Sequence, residues 1–225
     1  MDNKPSINVA TILIWMLMYL FVCGVVPHLM GRMIDKVFAS HTARWINFLI
    51  LSALNIGFLY NLTKRYEIEL EILKGITVKT VILSLVFSLL FFLFIDMLLD
   101  PFLEDLFPSS SKIYYENVNE LSKNPVLMFF RVCLLAPITE ELLIRGCILN
   151  SLSERYSSII AIAVSALIFA LLHFNFIQTV SAVIFGIFIG IAYVKSHSLF
   201  LCILTHGLYN LISYIYLRTI MLKSQ

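Results

Sequence analysis

Seven long apolar segments constrain the fold of this chain more than any other feature of its sequence. They lie at roughly residues 8–30, 43–62, 77–99, 125–150, 157–177, 178–195 and 198–218. About 20 apolar residues in a helix cross a bilayer core about 30 Å thick, and a helix satisfies its own backbone hydrogen bonds in lipid. The segments therefore predict an all-α fold, a polytopic transmembrane bundle of about seven spans.

The amino-acid composition supports this prediction. Of the 225 residues, 60% are hydrophobic and 13% are charged, whereas a soluble domain has roughly 45–50% apolar and about 25% charged residues. The apolar surplus has to face lipid, so the lipid bilayer is the first expected partner. The first segment is predicted to be a retained span rather than a signal peptide, because only Lys4 supplies a preceding charge and no A-x-A site follows it.

The charged residues exclude one class of partner. The formal net charge is +2, and no basic stripe exists beyond short clusters beside the apolar segments. A nucleic-acid partner is therefore not expected. Lys79 and Asp96, near the two ends of the third segment, are expected to snorkel toward the membrane surface.

One polar stretch divides the chain into three predicted parts. Residues 1–99 hold three N-terminal spans, residues 100–124 form a polar loop or an interfacial helix, and residues 125–218 form a C-terminal bundle of four spans. Within the polar stretch, Ile113, Tyr114, Val118 and Leu121 fall close to helical spacing. That pattern favours a short helix lying in the interface and an ordinary capped loop about equally.

The C-terminal bundle contains polar groups where a membrane span should have none. Charged side chains at mid-membrane are costly, usually face the interior of a bundle and usually serve a function. Here the fourth, fifth and seventh segments carry a short set of such groups: Glu140, Glu141, Arg145, His173, His206 and Asn210. These residues are the candidate functional site.

Helical geometry predicts how the groups of the fourth span are arranged. Glu141 and Arg145 are four residues apart, so they share a face and can form an ion pair. Glu140 lies about 100° further round the helix and is free to face elsewhere. Pro137 removes a backbone donor one turn before the carboxylates. A freed carbonyl and a kink at this point would admit water near Glu140.

A carboxylate, two histidines and an amide on different spans form a set of groups that can activate a water molecule. A carboxylate suits the role of general base, a histidine can bind a divalent metal or orient the water, and histidine and asparagine side chains can donate to a developing oxyanion. Neither a G-x-S-x-G nor an H-E-x-x-H motif is present. Each group also has a structural reading: E-E-x-x-x-R is a common surface ion pair, and His206 with Asn210 suits a hydrogen bond between helices.

Three motifs in order resemble a known family. E-E-x-x-x-R, F-x-x-x-H beginning at Phe169, and H-x-x-x-N are similar to the motifs of the CAAX-protease and bacteriocin-processing family, also called the Abi or self-immunity family. Its members are intramembrane peptidases. The resemblance covers roughly residues 125–215, while the first three spans share only their hydrophobicity with it.

The resemblance implies a role for each candidate residue. Glu140 is expected to activate the water with help from His173, while His206 and Asn210 complete the site and stabilise the oxyanion. Glu141 and Arg145 are then the supporting pair. A divalent metal such as zinc would be held by Glu140, His173 and His206 if the enzyme uses one, and a glutamate mechanism without metal stays equally open.

The resemblance also implies a class of substrate and leaves two alternative functions open. The expected substrate is a membrane-embedded or lipidated protein or peptide, and the expected location is a prokaryotic plasma membrane. One alternative is a non-catalytic self-immunity or regulatory protein of the same fold. Another is a proton-coupled carrier, although no second half repeats the first as it often does in carriers. The predicted depths of the motif residues disagree, because His173 lies roughly 8 Å beyond the centre of its span, whereas Glu140 and His206 lie close to mid-membrane.

Overall fold

The computed structural model describes residues 7–223, with side chains as far as Ile220. This part of the chain folds into eight helices and contains no strand, which confirms the predicted all-α class. In chain order the helices are α1 (Val9–Ile34), α2 (Ser40–Tyr66), α3 (Val78–Leu106), α4 (Pro108–Ser122), α5 (residues 125–153), α6 (Ser158–Leu171), α7 (Phe176–Ser196) and α8 (Leu199–Lys223).

Five helices of the described residues are long and apolar enough to cross a membrane. They are α1, α2, α3, α7 and the part of α8 that ends at Ile220. The chain is therefore an integral membrane protein. Helix α5 is interrupted by charged side chains, and α6 has only 14 residues, so neither qualifies by length and composition. The predicted count of seven spans is not confirmed.

Proline shapes three of the long helices in the same way. A π-helical stretch precedes each proline: Leu20–Val25 before Pro27, Phe92–Leu99 before Pro101, and Phe130–Leu135 before Pro137. Proline has no backbone N–H, and its ring clashes with the carbonyl four residues earlier. The wider turn resolves this conflict, because the Ala136 N–H donates to the Arg131 carbonyl, five residues back.

Helix α5 is consequently divided. A second π-helical stretch, Leu142–Leu149, follows the first, and the short α-helical piece Ala136–Glu141 lies between them. Such stretches are rare and are found frequently at functional sites. The two carboxylates of the E-E-x-x-x-R motif therefore sit on the one regular turn between two irregular ones.

Helix α5 also lies at the centre of the packing. The α2 helix packs against it, and so do α6, α7 and α8. Helix α3 packs along α8, where the buried hydroxyls of Ser84 and Ser88 donate to the carbonyls of Leu201 (3.4 Å) and Thr205 (2.9 Å). Small polar residues of this kind allow close contact between membrane helices. The division of the chain at residues 99 and 124 stays a prediction.

The polar stretch is helical for most of its length. Helix α3 continues to Leu106, and α4 follows directly as Pro108–Ser122, while the position of α4 at the membrane interface stays a prediction. Both ends of α4 are tied to other helices. Ser110 Oγ donates to Asn175 Oδ1 (3.0 Å) in the turn between α6 and α7, and Arg44 of α2 pairs with Glu120 (3.0 Å).

Candidate active site

The predicted site residues meet at one cavity inside the bundle. Glu140, His173, His206 and Asn210 all line a cavity of about 300 Å³, named here the front cavity. Its walls come from α3, α4, α5, α7, α8 and the turn after α6. The structure therefore brings the four residues together, while their catalytic roles stay predictions.

Glu140 is the carboxylate that faces open space. Its side chain is half-buried and makes no hydrogen bond or ion pair with any residue that the structure describes. Glu141, its neighbour, is 0% exposed, and its Oε1 atom is held by other side chains, while its Oε2 atom is buried without a hydrogen-bond partner among the described residues. The 100° rotation between neighbouring helical residues separates the two carboxylates into one free group and one held group.

Glu141 is the centre of a buried charged cluster. Its Oε1 atom accepts from Arg145 Nη1 at 3.0 Å and from His206 Nδ1 at 2.9 Å. The spacing of Glu141 and Arg145, four residues apart in one helix, predicts the contact between them. The contact with His206 joins α5 to α8, and sequence reasoning missed it because the register between two helices cannot be read from spacing within either one.

Arg145 is enclosed by the bundle, and its two terminal nitrogens are bonded while its Nε atom has no hydrogen-bond partner among the described residues. The residue is 0% exposed, its Nη2 donates to the Gly186 carbonyl at 3.1 Å, and its guanidinium lies over the Phe169 ring at 4.8 Å from the centroid. A guanidinium stacks well on an aromatic face when it is desolvated. The phenylalanine of the F-x-x-x-H motif thus supports the arginine of the E-E-x-x-x-R motif.

His173 does not lie on a helix, and the predicted helical placement is wrong. Helix α6 ends at Leu171, and His173 occupies the turn that precedes α7. The chain leaves the helix because Phe174 adopts a left-handed conformation (φ 49°) and Asn175 caps the start of α7. The turn delivers the imidazole to the front cavity, which Glu140 also lines.

The hydrogen bonds of the two histidines fix their tautomers. His173 Nδ1 lies 3.1 Å from the Phe169 carbonyl, and a carbonyl can only accept, so Nδ1 carries a proton. His206 Nδ1 likewise donates to the Glu141 carboxylate. In the neutral form, each ring therefore keeps an unprotonated Nε2 atom. Those atoms have no partner among the described residues and are the ones that can take part in chemistry.

Asn210 has a structural contact besides its predicted role. Its Nδ2 donates to the Val132 carbonyl at 2.9 Å, within the π-helical stretch of α5. One amide N–H remains for another acceptor. The neighbouring Gly207 allows this approach, because a Cβ there would lie 3.1 Å from the Cys133 carbonyl. Proline at position 137 cannot supply that carbonyl with the donor of a regular α-helix.

The front cavity contains further charged residues that sequence reasoning did not assign. Asp96, Asp100 and Arg131 line it. Asp100 accepts from Ser181 Oγ at 2.5 Å, and Arg131 has no ion-pair partner among the described residues. Asp96 does not snorkel as expected, because α3 continues to Leu106 and leaves its Oδ2 atom buried in the bundle. The sequence signal that could have identified Asp96 and Asp100 was their spacing, four residues apart on an otherwise apolar helix.

Tyr114 of α4 faces the same region. Burial raises the pKa of its phenol above the ordinary value, and the nearby carboxylates of Asp96 and Asp100 raise it further. The phenol therefore stays a neutral hydrogen-bond donor at physiological pH. Val118 and Leu121 line the cavity beside it, while Ile113, the fourth member of the predicted apolar stripe, is 52% exposed.

The described residues do not present a ready metal site. No group of three or more His, Cys, Asp or Glu side chains in this part of the chain is placed to hold a metal ion. Both histidines use Nδ1 for hydrogen bonds, which leaves one donor atom each. A zinc ion on Glu140, His173 and His206 would need these groups to draw together. The divalent metal stays a prediction, and no step below depends on it.

Comparison with known proteins places the site in a family. Residues 122–212, less than half of the chain, match the family model described as type II CAAX prenyl endopeptidase Rce1-like. This segment contains all three motifs. No curated protein and no solved structure matches the chain. Residues 122–212 are thus similar to the Rce1-like family of type II CAAX prenyl endopeptidases, in agreement with the resemblance that the three motifs carry.

Proposed function

We propose that the chain is an intramembrane endopeptidase in which Glu140 activates the hydrolytic water. The observation that supports this most is the contrast between the two adjacent carboxylates. Glu141 is buried and bonded to Arg145 and His206, while Glu140 faces a cavity of about 300 Å³ without a partner. A general base needs a free carboxylate in reach of water.

In the proposed reaction, a water molecule lies between Glu140 and His173 Nε2. Glu140 takes a proton from the water as its oxygen attacks the peptide carbonyl carbon, and a tetrahedral oxyanion forms. The C–N bond then breaks, and the leaving amine takes the proton from Glu140. The phenylalanine carbonyl at 3.1 Å keeps His173 in the tautomer whose Nε2 can accept from the water.

The oxyanion is stabilised from α8 in this mechanism. Asn210 has an amide N–H beyond the one used for Val132. His206 donates from Nε2 when its ring is protonated, and the Glu141 carboxylate then lies 2.9 Å from the opposite side of the ring to balance the new charge. Donors already in place when the charge develops are more effective than donors that must reorganise.

We further propose a lipidated or membrane-embedded protein or peptide as the substrate, in a prokaryotic plasma membrane. The cavity lies within a bundle of membrane helices, so an extended peptide attached to a lipid would reach it without leaving the bilayer. The name of the matching family points to prenylated C-terminal peptides as the first substrates to try.

The test is turnover of a prenylated, quenched-fluorescent peptide by the purified protein in lipid nanodiscs. Glu140→Gln removes the base and preserves the shape of the side chain, so kcat should fall by roughly 10²–10⁴. Glu154→Gln, on an exposed residue beyond the end of α5, should behave as wild type. Turnover by Glu140→Gln within a few-fold of wild type would reject the proposal.

The non-catalytic alternative predicts a different result. A self-immunity or regulatory protein of this fold would bind a peptide partner without cleaving it. A folded wild-type protein that turns over no member of a panel of prenylated and unmodified peptides would favour that alternative. Equal binding of one peptide by wild type and Glu140→Gln would strengthen it.

A further inference from the structure

Glu140 also faces a second cavity on its other side. This rear cavity has a volume of about 230 Å³ and is lined by residues of α1, α2, α5 and the turn after α6. It shares only Arg131, Ala136 and Glu140 with the front cavity. The carboxylate therefore borders two spaces, and helices outside the family match supply six of the thirteen residues that line the rear one.

The rear cavity has a polar wall opposite Glu140. Tyr19 of α1 donates its hydroxyl proton to Asn55 Oδ1 at 2.9 Å, and Asn55 Nδ2 donates to the Leu51 carbonyl at 2.9 Å. Asn55 is 4% exposed. An amide buried in a membrane helix is costly unless it is bonded. The two hydrogen bonds use both polar atoms of Asn55, and Tyr19 lines the rear cavity together with Thr139 and Glu140.

The rear cavity continues toward one end of the bundle. It shares Cys23, Gly24, Leu51 and Arg131 with an outer cavity of about 610 Å³. The outer cavity lies at the end of α1, the start of α2 and the end of α4. Charged or titratable residues line it: His28, Asp35, Arg44, Glu120 and Arg131. Polar cavities of this size hold ordered water.

We propose that the outer and rear cavities form a water path to Glu140 that stays open while substrate occupies the front cavity. Each turnover consumes one water molecule, and a peptide in the front cavity displaces the solvent beside His173. The inference rests on the proposed role of Glu140. It gives the N-terminal helices a function in the reaction, with Tyr19 and Asn55 as positioning residues for the incoming water.

Glycine at position 24 provides a way to block the path. A Cβ atom added at Gly24 meets no atom within 4 Å, and the residue lines both cavities. Gly24→Leu should fill the passage without a clash. Gly57 of α2 also has open space around it and lines neither cavity, so Gly57→Leu is the matched control.

The expected result is a kinetic effect on the chemical step. Gly24→Leu should lower kcat about tenfold or more with KM unchanged, for a prenylated peptide and a short soluble peptide alike. Gly24→Ala should show a smaller loss, and Gly57→Leu none. Tyr19→Phe should lower kcat while Tyr60→Phe, on a tyrosine that is 61% exposed, leaves it unchanged.

A labelling measurement tests the path without any activity. In a protein whose other cysteines are changed to alanine, Cys23 should react with a small, charged, membrane-impermeant thiol reagent, because its side chain borders both cavities. Gly24→Leu should slow that reaction. A matched protein that keeps only Cys202, which is 0% exposed, should stay unlabelled.

Three outcomes would overturn the inference. An unreactive Cys23 would show that water does not fill the path. An unchanged kcat in Gly24→Leu would show that the reaction does not use it. A rise in KM for the prenylated peptide alone would assign the rear cavity to the lipid chain instead. An active Glu140→Gln would defeat the proposed function separately, and the labelling result would still decide whether the path holds water.

Discussion

Arg145→Ala should damage the fold more than any other single change in the buried cluster. The change removes the 3.0 Å contact with Glu141 and the 3.1 Å contact with Gly186, and it leaves the Glu141 carboxylate with His206 as its remaining partner. Loss of one member of a buried ion pair typically costs about 3–5 kcal/mol. At about 2–4 °C per kcal/mol for a chain of this size, the melting temperature should fall by about 6–20 °C.

The double change Glu141→Gln with Arg145→Ala isolates the charge. A glutamine at position 141 carries no charge that would be left unpaired in the bundle, and its side-chain oxygen can still accept from His206 Nδ1. The double variant should therefore recover part of the lost stability. Thermal melting of the purified proteins in detergent measures this, with Arg155→Ala on an exposed residue as the control. A double variant that melts below Arg145→Ala, or an Arg145→Ala protein that melts as wild type, would refute the reasoning.

Three further predictions concern access to the site and its chemistry. The variant Tyr114→Ala with Leu121→Ala changes the face of α4 that lines the front cavity. It should raise KM for a prenylated peptide and leave the KM of a short soluble peptide unchanged. An equal loss of activity on both peptides would mean that α4 supports the catalytic bundle and does not control substrate entry. Lys123 and then Arg44 lower the pKa of Glu120, so the tie between α4 and α2 should be complete above pH 4.5 and lost as the pH falls through the lowered pKa. Amide hydrogen exchange in α4 should then rise at acid pH in wild type and be raised already at pH 7 in Glu120→Gln. Finally, the mechanism without metal predicts that a chelator of divalent metals leaves turnover unchanged. Activity that is lost to the chelator and restored by zinc alone would instead assign a metal to the site.

The parts of the structure that depend on local periodicity could be predicted from the sequence. The long apolar helices α1, α2 and α3 follow from hydropathy, and the contact between Glu141 and Arg145 follows from their spacing within one helix. The irregular turn before Pro137 follows from the chemistry of proline. Each of these features is decided by residues within a few turns of one another.

The parts that depend on contacts between distant residues could not be predicted. His173 leaves its helix because Asn175 bonds to Ser110, 65 residues away in the sequence, and periodicity alone extended the helix through it. The bond from His206 to Glu141 also spans 65 residues. The rear wall of the site, with Tyr19 and Asn55, came from helices whose apolar composition alone carried no sign of a function.

The short length of α6 has a consequence for the surrounding lipid. Its 14 residues extend about 21 Å, well below the roughly 30 Å of a typical hydrocarbon core. Acyl chains beside this helix have to shorten or tilt, which thins the leaflet next to the turn that carries His173. Longer-chained lipids resist such thinning, and shorter-chained lipids accept it readily. The thickness of the host membrane is thereby coupled to the depth of the turn that carries His173.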